Sequence, residues 1–392
     1  MSKTPYSTMH RLSAGFSLVE IMIGMVIGML GIIVMMQIFA LSEGQKRTTT
    51  GGGDAQNNGA IALYGIQHDV RQAGYGFSIG NLLGCNITLP LPTGLPSGTT
   101  IPLAPVVINP PGSVVPVGDA NTDRLLVTYG NTNGAPQGTV ISGVAGAVYT
   151  ISPPMTFAVG DYVVAAVAAP NTCAANLILT RVTAISAPLT TPRVTVATGV
   201  AGAVTLYNLG QAPTILAYAV RGGNLTVCDY AANNFSNNCG LSSNLTNLAI
   251  WLPIASNIVS LRAQYGRDSL TPAVATPPNP PPKYVVDTYD QTTPSALTVP
   301  PAPCGWSRSP AVRIALTARS GQYDKAFVTT TATAPRWEGS TVVTGSTAGA
   351  NNPTAVPIIL TANSSWQHYR YKLFQTVIPL RNINWMGVQS NC

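Results

Sequence analysis

The feature that most constrains this chain is an apolar stretch near the N-terminus, residues 16–41, which carries a single acid, Glu20. A helix rises about 1.5 Å per residue, so a helix of this length would exceed the roughly 30 Å hydrocarbon core of a bilayer. A secretory signal has a shorter apolar core and a small-residue cleavage site after it, and residues 39–42, FALS, match such a site poorly. We therefore predict a transmembrane helix over 16–41 that stays with the protein.

The charge of the short leader predicts how this helix is oriented. Residues 1–15 are polar and carry Lys3 and Arg11, and the large domain follows the apolar stretch. Positive charge beside a membrane helix favours the cytoplasmic side. We expect a single-pass protein of the bacterial inner membrane with its N-terminus in the cytoplasm and its large C-terminal part outside that membrane.

Glu20 is the unusual residue of the span. An ionisable group inside an apolar segment is costly and is a functional candidate by default. If the chain is cut between Gly15 and Phe16, Phe16 carries a new amine, and Glu20 lies four residues on, about one helical turn away. Amine and carboxylate can then neutralise each other, within one chain or between neighbouring chains. The alternative is that the Glu20 side chain only extends to the lipid headgroups.

The sequence GFSLVE at 15–20, followed by an apolar helix, resembles the class III signal of type IV prepilins and pseudopilins. In that family a membrane-embedded aspartyl peptidase cuts after the Gly and N-methylates the new Phe. The resemblance implies cleavage between Gly15 and Phe16, N-methylation of Phe16, and a role for Glu20 in registering subunits during assembly. The chain lacks the helix-kinking Pro of many major pilins. It has Gly24 and Gly28 instead, either a helix-packing G-x-x-x-G pair or ordinary glycines of a membrane helix.

Four short blocks carry a second resemblance, to the PilW family of minor pilins, relatives of the J-type pseudopilin of type II secretion. The blocks are residues 74–75, 261–266, 313–316 and 369–382. The resemblance implies an α+β, type IV pilin-like fold, with a long N-terminal membrane helix followed by an antiparallel β-rich head with long loops. Residues from about 80 to 255 add little beyond their β character.

The same resemblance implies the partners. They are other minor pilins, the major pilin, the prepilin peptidase, the inner-membrane assembly platform, and membrane lipid before assembly. Such subunits form a priming complex that starts assembly, with a place at or near the filament tip. The protein would then move from the inner membrane to a pilus on the cell surface.

The composition after the span fits an extracytoplasmic, β-rich protein with many turns. Only 8% of residues are charged, whereas 46% are hydrophobic, and the chain holds 37 Gly and 32 Pro. High apolar content argues against disorder.

The net charge of the chain is +7. The densest group of basic residues is Arg370, Lys372 and Arg381, which lie among aromatic residues. A nucleic-acid contact there is an alternative to the favoured interpretation, a strand with alternating exposed cations.

The chain divides into four predicted regions: a cleaved leader (1–15), the membrane helix (16–41), a helical continuation (42–76) and a periplasmic or extracellular head (77–392). Three successive glycines, Gly51–Gly53, predict a break in the helix, because each costs about 1 kcal/mol relative to Ala. Helical spacing returns over Ala55–Ala73.

Long loops are predicted over 90–116, 270–303 and 329–352. Period-2 patterns predict strands over Arg124–Tyr129, Asp161–Val167, Leu177–Ile185, Arg193–Ala197, Ile215–Arg221, Asn257–Tyr265, Ala311–Ala318, Val356–Leu360 and a late strand ended by Pro379.

The six cysteines all follow the apolar stretch, where an oxidising compartment favours disulfides. Cys228 and Cys239 enclose a short polar loop, so we predict that they pair. Six cysteines allow 15 pairings, and the remaining candidates are Cys304 with Cys392 and Cys85 with Cys173. No C-x-x-C pair is present, which argues against a zinc site.

No motif in the sequence indicates an enzyme. The three histidines are dispersed, and neither a phosphate-binding loop nor a G-x-S-x-G motif is present. Asp287 and Asp290 could contribute to a calcium site, but a regular calcium loop would offer more oxygens at fixed offsets. We expect no catalytic residues, no cofactor and no metal.

Three functions follow, and the first is a structural minor pilin that helps to start assembly of a type IV pilus. The second is a pseudopilin of a type II secretion system. The third is an adhesion or DNA-contact module at a pilus tip, which would use the long loops or the basic-aromatic C-terminal stretch. A membrane-anchored enzyme is a distant fourth.

Overall fold

The computed structural model describes residues 15–77, 82–90, 98–132, 134–135, 137–152, 156–167, 173, 177–186, 191–269, 282–296, 304–333, 335–344 and 350–384. By its internal contacts the chain divides into two compact units, Met1–Gly51 and Gly52–Cys392. The leader, apart from its last residue, lies outside the described residues. Cys392 does too, so the predicted Cys304–Cys392 pair falls outside them.

The first element, helix α1, runs from Leu18 to Gln72. It passes through Gly51–Gly53 without interruption, so the predicted break there is wrong. Breaking the helix would create two new ends, each with unpaired backbone groups. That cost exceeds the glycine penalty, since helix on both sides propagates into the triplet.

The remaining described residues form mostly short strands. They are β1 (Asn86–Thr88), β2 (Thr100–Pro102), β3 (Val106–Ile108), β4 (Leu125–Tyr129), β5 (Thr139–Ala145), β6 (Val148–Ile151), β7 (Tyr162–Val167), β8 (Leu177–Ser186), β9 (Arg193–Val196), β10 (Ala203–Gly210), β11 (Thr214–Arg221), β12 (Asn224–Asp229), β13 (Leu252–Ser256), β14 (Ile258–Arg267), β15 (Thr288–Asp290), β16 (Ala311–Arg319) and β17 (Tyr371–Pro379). Single helical turns lie at α2 (Ala232–Phe235), α3 (Cys304–Ser307) and α4 (Arg381–Asn384), with 3-10 turns at Ser242–Asn244, Pro294–Ala296, Glu338–Ser340 and Trp366–His368.

Most of the predicted strands are present, with ends that differ by one or two residues. Three predictions are wrong. The loop predicted over 270–303 contains β15. The loop predicted over 90–116 contains β2 and β3. Val356–Leu360 does not join a sheet within the described residues, although its alternation is real: Val356, Ile358 and Leu360 are buried. These three side chains cover a sheet from outside instead of pairing with it.

A five-stranded antiparallel sheet, ordered β13-β12-β11-β4-β3, forms the centre of the main core. Strands β11 and β12 are joined by Gly222-Gly223, with φ of +57° and +71°. Positive φ at both central residues matches the twist of a two-residue hairpin and strongly favours glycine.

A closed six-stranded barrel, which the sequence did not predict, is inserted between β4 and β11. Its strands follow the order β8-β7-β10-β5-β6-β9, and β9 pairs back onto β8. The insertion leaves β4 and β11 paired, with Tyr129 opposite Thr214. Along β7 the side chains alternate: Val163 belongs to the barrel's own apolar cluster, whereas Val164 belongs to the main core. The barrel therefore has its own interior and packs one outer face on the core.

Two disulfides between described residues stabilise this arrangement; Cys228–Cys239 was predicted from the sequence, and Cys85–Cys173 was one of the remaining candidates. Cys85 and Cys173 link the segment before β1 to the segment before β8, and β1 also pairs in parallel with β8. Cys228 and Cys239 close the loop after β12. The first bridge holds the barrel to the rest of the head.

The last sheet has the order β15-β14-β16-β17. In β16, Ile314 and Leu316 join the main core, whereas Ala315 joins a small cluster with Trp337 and Ile358 on the opposite face. The period-2 pattern that predicted a strand over Ala311–Ala318 is thus confirmed. Both faces of this sheet are covered, which explains why nearly every residue of β14 and β16 is buried.

Candidate functional site

The start of α1 leaves the predicted cleavage bond outside the helix. Gly15, Phe16 and Ser17 precede the first helical residue, Leu18. The Ser17 carbonyl accepts hydrogen bonds from the Glu20 and Ile21 backbone N–H groups at 3.0 and 3.2 Å. Its hydroxyl accepts one from the Val19 N–H at 3.3 Å, as a helix-capping residue does. The Gly15–Phe16 peptide bond is therefore not held by helical hydrogen bonds.

Glu20 lies in the first turn of α1 and is exposed. A carboxylate at this position is favourable because the helix dipole places partial positive charge at the N-terminus. The apolar side chains that follow are exposed as well; Phe39, for example, is 80% exposed. Such a continuous apolar surface needs lipid or partner helices. The helix is long and apolar enough to cross a membrane.

Gly24 and Gly28 lie on this exposed part of α1. A Cβ atom added at either glycine would meet nothing within 4 Å. Neither glycine is therefore needed for packing inside this chain. Their surface is free to contact another helix, which small residues allow at close range.

The C-terminal part of α1 packs on the head through small and branched residues. Ile66 and Val70 are fully buried in the main core. Earlier in the helix, the ring of Phe374 from β17 lies over Gly59, where an added Cβ would come within 2.1 Å of the ring. Glycine is thus required at this point for the helix to approach the sheet.

One carboxylate on α1 joins two strands of the central sheet. The hydroxyl of Tyr129 on β4 donates to Asp69 Oδ1 at 3.1 Å, and the hydroxyl of Tyr218 on β11 donates to Asp69 Oδ2. Burial, reinforced by the Asp69 charge, raises the pKa of Tyr129 to about 12 and raises that of Tyr218 further. His68 beside Asp69 is on the helix surface, with its side chain 57% exposed. The cluster acts as a hydrogen-bonded clamp between helix and sheet.

The end of α1 is held by residues from the two ends of the head sequence. The Asn382 side-chain amide donates to the carbonyl oxygens of Gln72 and Ala73 at 2.9 and 3.1 Å. The Gly74 N–H donates to the Thr128 carbonyl at 2.8 Å, and the Gly130 N–H donates to the Tyr75 carbonyl at 2.7 Å. These bonds satisfy backbone groups that a helix end otherwise leaves unpaired.

The four blocks that carried the second resemblance therefore meet in space. Residues 261–266 of β14 pair with 311–316 of β16, which pairs in turn with 374–379 of β17. Asn382 follows β17 and contacts the helix end next to residues 74–75. The blocks build one structural unit, the sheet that supports the helix.

Buried ion pairs stabilise this sheet: Arg262 joins it to Asp123 elsewhere in the head, and Arg267 joins β14 to β15 within it. Arg262 Nη1 lies 3.3 Å from Asp123 Oδ1, and Asp123 Oδ2 also accepts the Ala263 N–H at 2.9 Å. Arg267 contacts Asp290 at 2.6 Å. Removing one partner of such a pair leaves an uncompensated buried charge, which costs about 3–5 kcal/mol. Asp290, one of the two weak calcium candidates, is therefore engaged in an ion pair.

The basic residues near the C-terminus do not form a groove. Arg370 is paired with Asp324 at 3.4 Å. Lys372, two residues further along β17, reaches Gln56 of α1 at 3.4 Å. Arg370 has an acidic partner, whereas the neutral amide of Gln56 leaves the charge of the exposed Lys372 uncompensated.

Comparison with known proteins adds one match. The family model described as Type IV Pilus-assembly protein W matches residues 242–382. Neither the curated proteins nor the solved structures gave a match. The matched residues contain β13–β17 and leave out α1 and the barrel. The match supports a type IV pilus-related protein with a role in pilus assembly.

Proposed function

We propose that this chain is a structural minor pilin of a type IV pilus, made as a prepilin and cut between Gly15 and Phe16. The observation that carries the proposal is the combination of two separate features in one chain. One is the capped apolar helix with Glu20 in its first turn. The other is the pilus-assembly match over the sheet that supports the same helix.

The proposed mechanism begins in the inner membrane. The peptidase cuts the Gly15–Phe16 peptide bond, which lies outside the helix, and methylates Phe16. The new ammonium then lies about one turn before Glu20. Charge inside an apolar span is expensive, so amine and carboxylate are more stable as a pair. A Glu20 that pairs with the Phe16 amine of a neighbouring subunit fixes the axial register between the two helices.

The remaining parts of the proposal concern assembly. The exposed face with Gly24 and Gly28 packs against helices of other minor pilins and the major pilin. Together these subunits form a complex that primes the filament at the assembly platform and remains at or near its tip. Because the Glu20 carboxylate pairs with the Phe16 amine of another subunit, this subunit joins beneath or beside that one. It is not the topmost subunit.

The test is Glu20→Ala in cells that make the full set of pilus proteins. Processing at Gly15 is expected to continue, because the cleavage bond and the Ser17 cap are unchanged. Surface filaments are expected to fall at least tenfold. An uncompensated charge in a membrane helix costs about 2.5–3.5 kcal/mol at the bilayer centre, and about 1.4 kcal/mol already corresponds to tenfold.

The matched control is Glu43→Ala. Glu43 lies on the same helix, is exposed, and makes only an i,i+4 pair with Arg47 at 3.1 Å, a type of contact worth about 0.5 kcal/mol or less. Normal piliation in the Glu20 variant would contradict the proposal. Normal piliation with defective protein secretion would instead favour the pseudopilin of a type II system.

A further inference from the structure

Arg313, in the middle of β16, is a buried cation held between aromatic rings. Its side chain is 7% exposed. The guanidinium carbon lies 3.9 Å from the ring centre of Tyr289 and 5.3 Å from that of Trp337. Guanidinium groups stack well on such rings. The group is therefore fixed in its plane by two neighbours from different segments.

A chain of buried amides fixes the rotation of the same group. Arg313 Nε donates to Gln264 Oε1 at 2.8 Å, and Gln264 Nε2 donates to Asn352 Oδ1 at 2.8 Å. Gln264 and Asn352 are both essentially fully buried. A Cβ atom at Gly339 would come within 2.4 Å of Gln264 Oε1, so only glycine leaves room for this arrangement. The far edge of the guanidinium is thus held in one orientation.

That edge lacks a hydrogen-bonded counter-ion. Nη2 of Arg313 has no hydrogen-bond partner among the described residues. Nη1 lies 3.9 Å from Glu338 Oε2, beyond hydrogen-bond distance, and Glu338 is 63% exposed. A buried cation without a bonded partner is costly. The Nη2 donors are therefore unused, but almost none of the surface of this atom is accessible, so an incoming acceptor reaches them only when the side chains that cover Nη2 shift.

The cavity at this point is small. It has a volume of about 150 Å³ and is lined by Arg313, Trp337, Glu338 and the β17 residues 375–377. Pockets for drug-sized ligands are about 300–1,000 Å³. A nucleotide or a sugar would not fit, whereas a small acid or the end of an acidic side chain would.

We propose that this cavity is a binding site for a single carboxylate, which pairs with the Arg313 guanidinium at Nη1 and gains a second, parallel hydrogen bond from Nη2 when the side chains that cover Nη2 shift. The planar fork of Arg matches a carboxylate in this way. Glu338 at the rim repels a doubly charged phosphate more than a singly charged carboxylate. The carboxylate comes either from a small free acid or from an acidic side chain of another chain. The site does not depend on the proposed pilin function.

The experiment uses the full-length protein in neutral detergent micelles with fluoroacetate as the probe. The fluorine NMR line of fluoroacetate should broaden on binding and recover when acetate is added, but not when neutral acetamide is added at equal ionic strength. Arg313→Gln should weaken binding at least tenfold. Arg313→Lys, which keeps the charge and loses the fork, should also weaken it. Arg336→Gln, an exposed neighbour, should leave it unchanged.

A second variant keeps the test independent of folding defects. Glu338→Gln removes a rim charge on an exposed side chain, and it should tighten fluoroacetate binding about threefold by lowering repulsion. Equal binding to wild type and Arg313→Gln, or no tightening in Glu338→Gln, overturns the proposal.

N-acetyl-glutamate amide, a capped glutamate, then separates the two sources of the carboxylate. Displacement by it indicates a site that accepts a protein side chain, and displacement by acetate alone indicates a site for a free acid.

Discussion

Replacing Asp69 by Ala should release the C-terminal part of α1 from the central sheet. Asp69 accepts hydrogen bonds from Tyr129 and Tyr218. A hydrogen bond to a charged group contributes about 1.5–3 kcal/mol, and an unsatisfied buried hydroxyl costs about 1–3 kcal/mol. Tyr218 is 2% exposed and cannot find water, whereas Tyr129 is only partly buried and can. We therefore expect a loss of about 3 kcal/mol, most of it through Tyr218.

The assay is amide hydrogen exchange of residues 55–72 in the full-length protein in detergent micelles. Where exchange follows local opening, about 3 kcal/mol corresponds to a roughly 150-fold faster rate. Asp54→Ala is the matched control, since Asp54 is an exposed acid of the same helix. Its exchange rates should match those of the wild type.

A double-mutant cycle separates the clamp from a general loss of helix. Asp69→Asn and Tyr218→Phe should be non-additive, with a coupling free energy of at least about 1 kcal/mol. Unchanged exchange over 55–72 in the Asp69 variant would refute the clamp. Additive effects in the cycle would show that the two groups act separately.

Three further predictions concern other contacts of the head. Gly59→Leu should displace the Phe374 ring and destabilise helix docking, which hydrogen exchange of the helix measures; unchanged exchange would contradict the packing. Because the folded pKa of Tyr129 is raised to about 12, the fold favours its neutral form, so this stabilisation is complete below its ordinary pKa of about 10 and is lost as pH rises through 12. An ultraviolet phenolate titration of the wild type against Tyr129→Phe should show this step, and identical curves would refute it. Replacing both Cys228 and Cys239 by Ser should lower the free energy of unfolding by about 2–3 kcal/mol, and an unchanged denaturation midpoint would count against that estimate.

Local patterns were sufficient to predict three strands of the C-terminal sheet, β14, β16 and β17, whereas β15 lies inside a segment predicted to be a loop. Alternation over Ala311–Ala318 identified both the strand and its two faces, because each face packs against a different apolar cluster. Pro379 marked the end of β17 correctly. The pairing of Cys228 with Cys239 could be predicted because the two cysteines are close in sequence and enclose a short polar loop.

The barrel could not be predicted because its closure depends on pairings between distant residues. Three of its strands, β5, β6 and β10, were not predicted: Gly, Ala and Thr weaken the alternation in β5 and β10, and β6 has only four residues. One local signal was available. Gly146 has φ of +61° in the two-residue turn between β5 and β6, as a hairpin glycine does. That turn predicts a hairpin, but not the β8–β9 pairing that closes the ring.

The pocket at Arg313 could not be predicted from the sequence either. Its components come from β14, β16, β17 and the segments around Trp337 and Asn352. No spacing in the chain relates these positions. The buried arginine becomes notable only when its unpaired Nη2 and the nearby rings are known.

The central claim is that the chain is processed as a pilin, and mass spectrometry of its N-terminus tests this most directly. Protein from the membrane and from sheared surface filaments should begin at N-methylated Phe16 in both fractions. A methylated chain in the membrane alone would contradict its place in the filament and favour a pseudopilin or a primer that stays behind. An intact Met1, or cleavage after Ala40, would contradict the pilin account altogether.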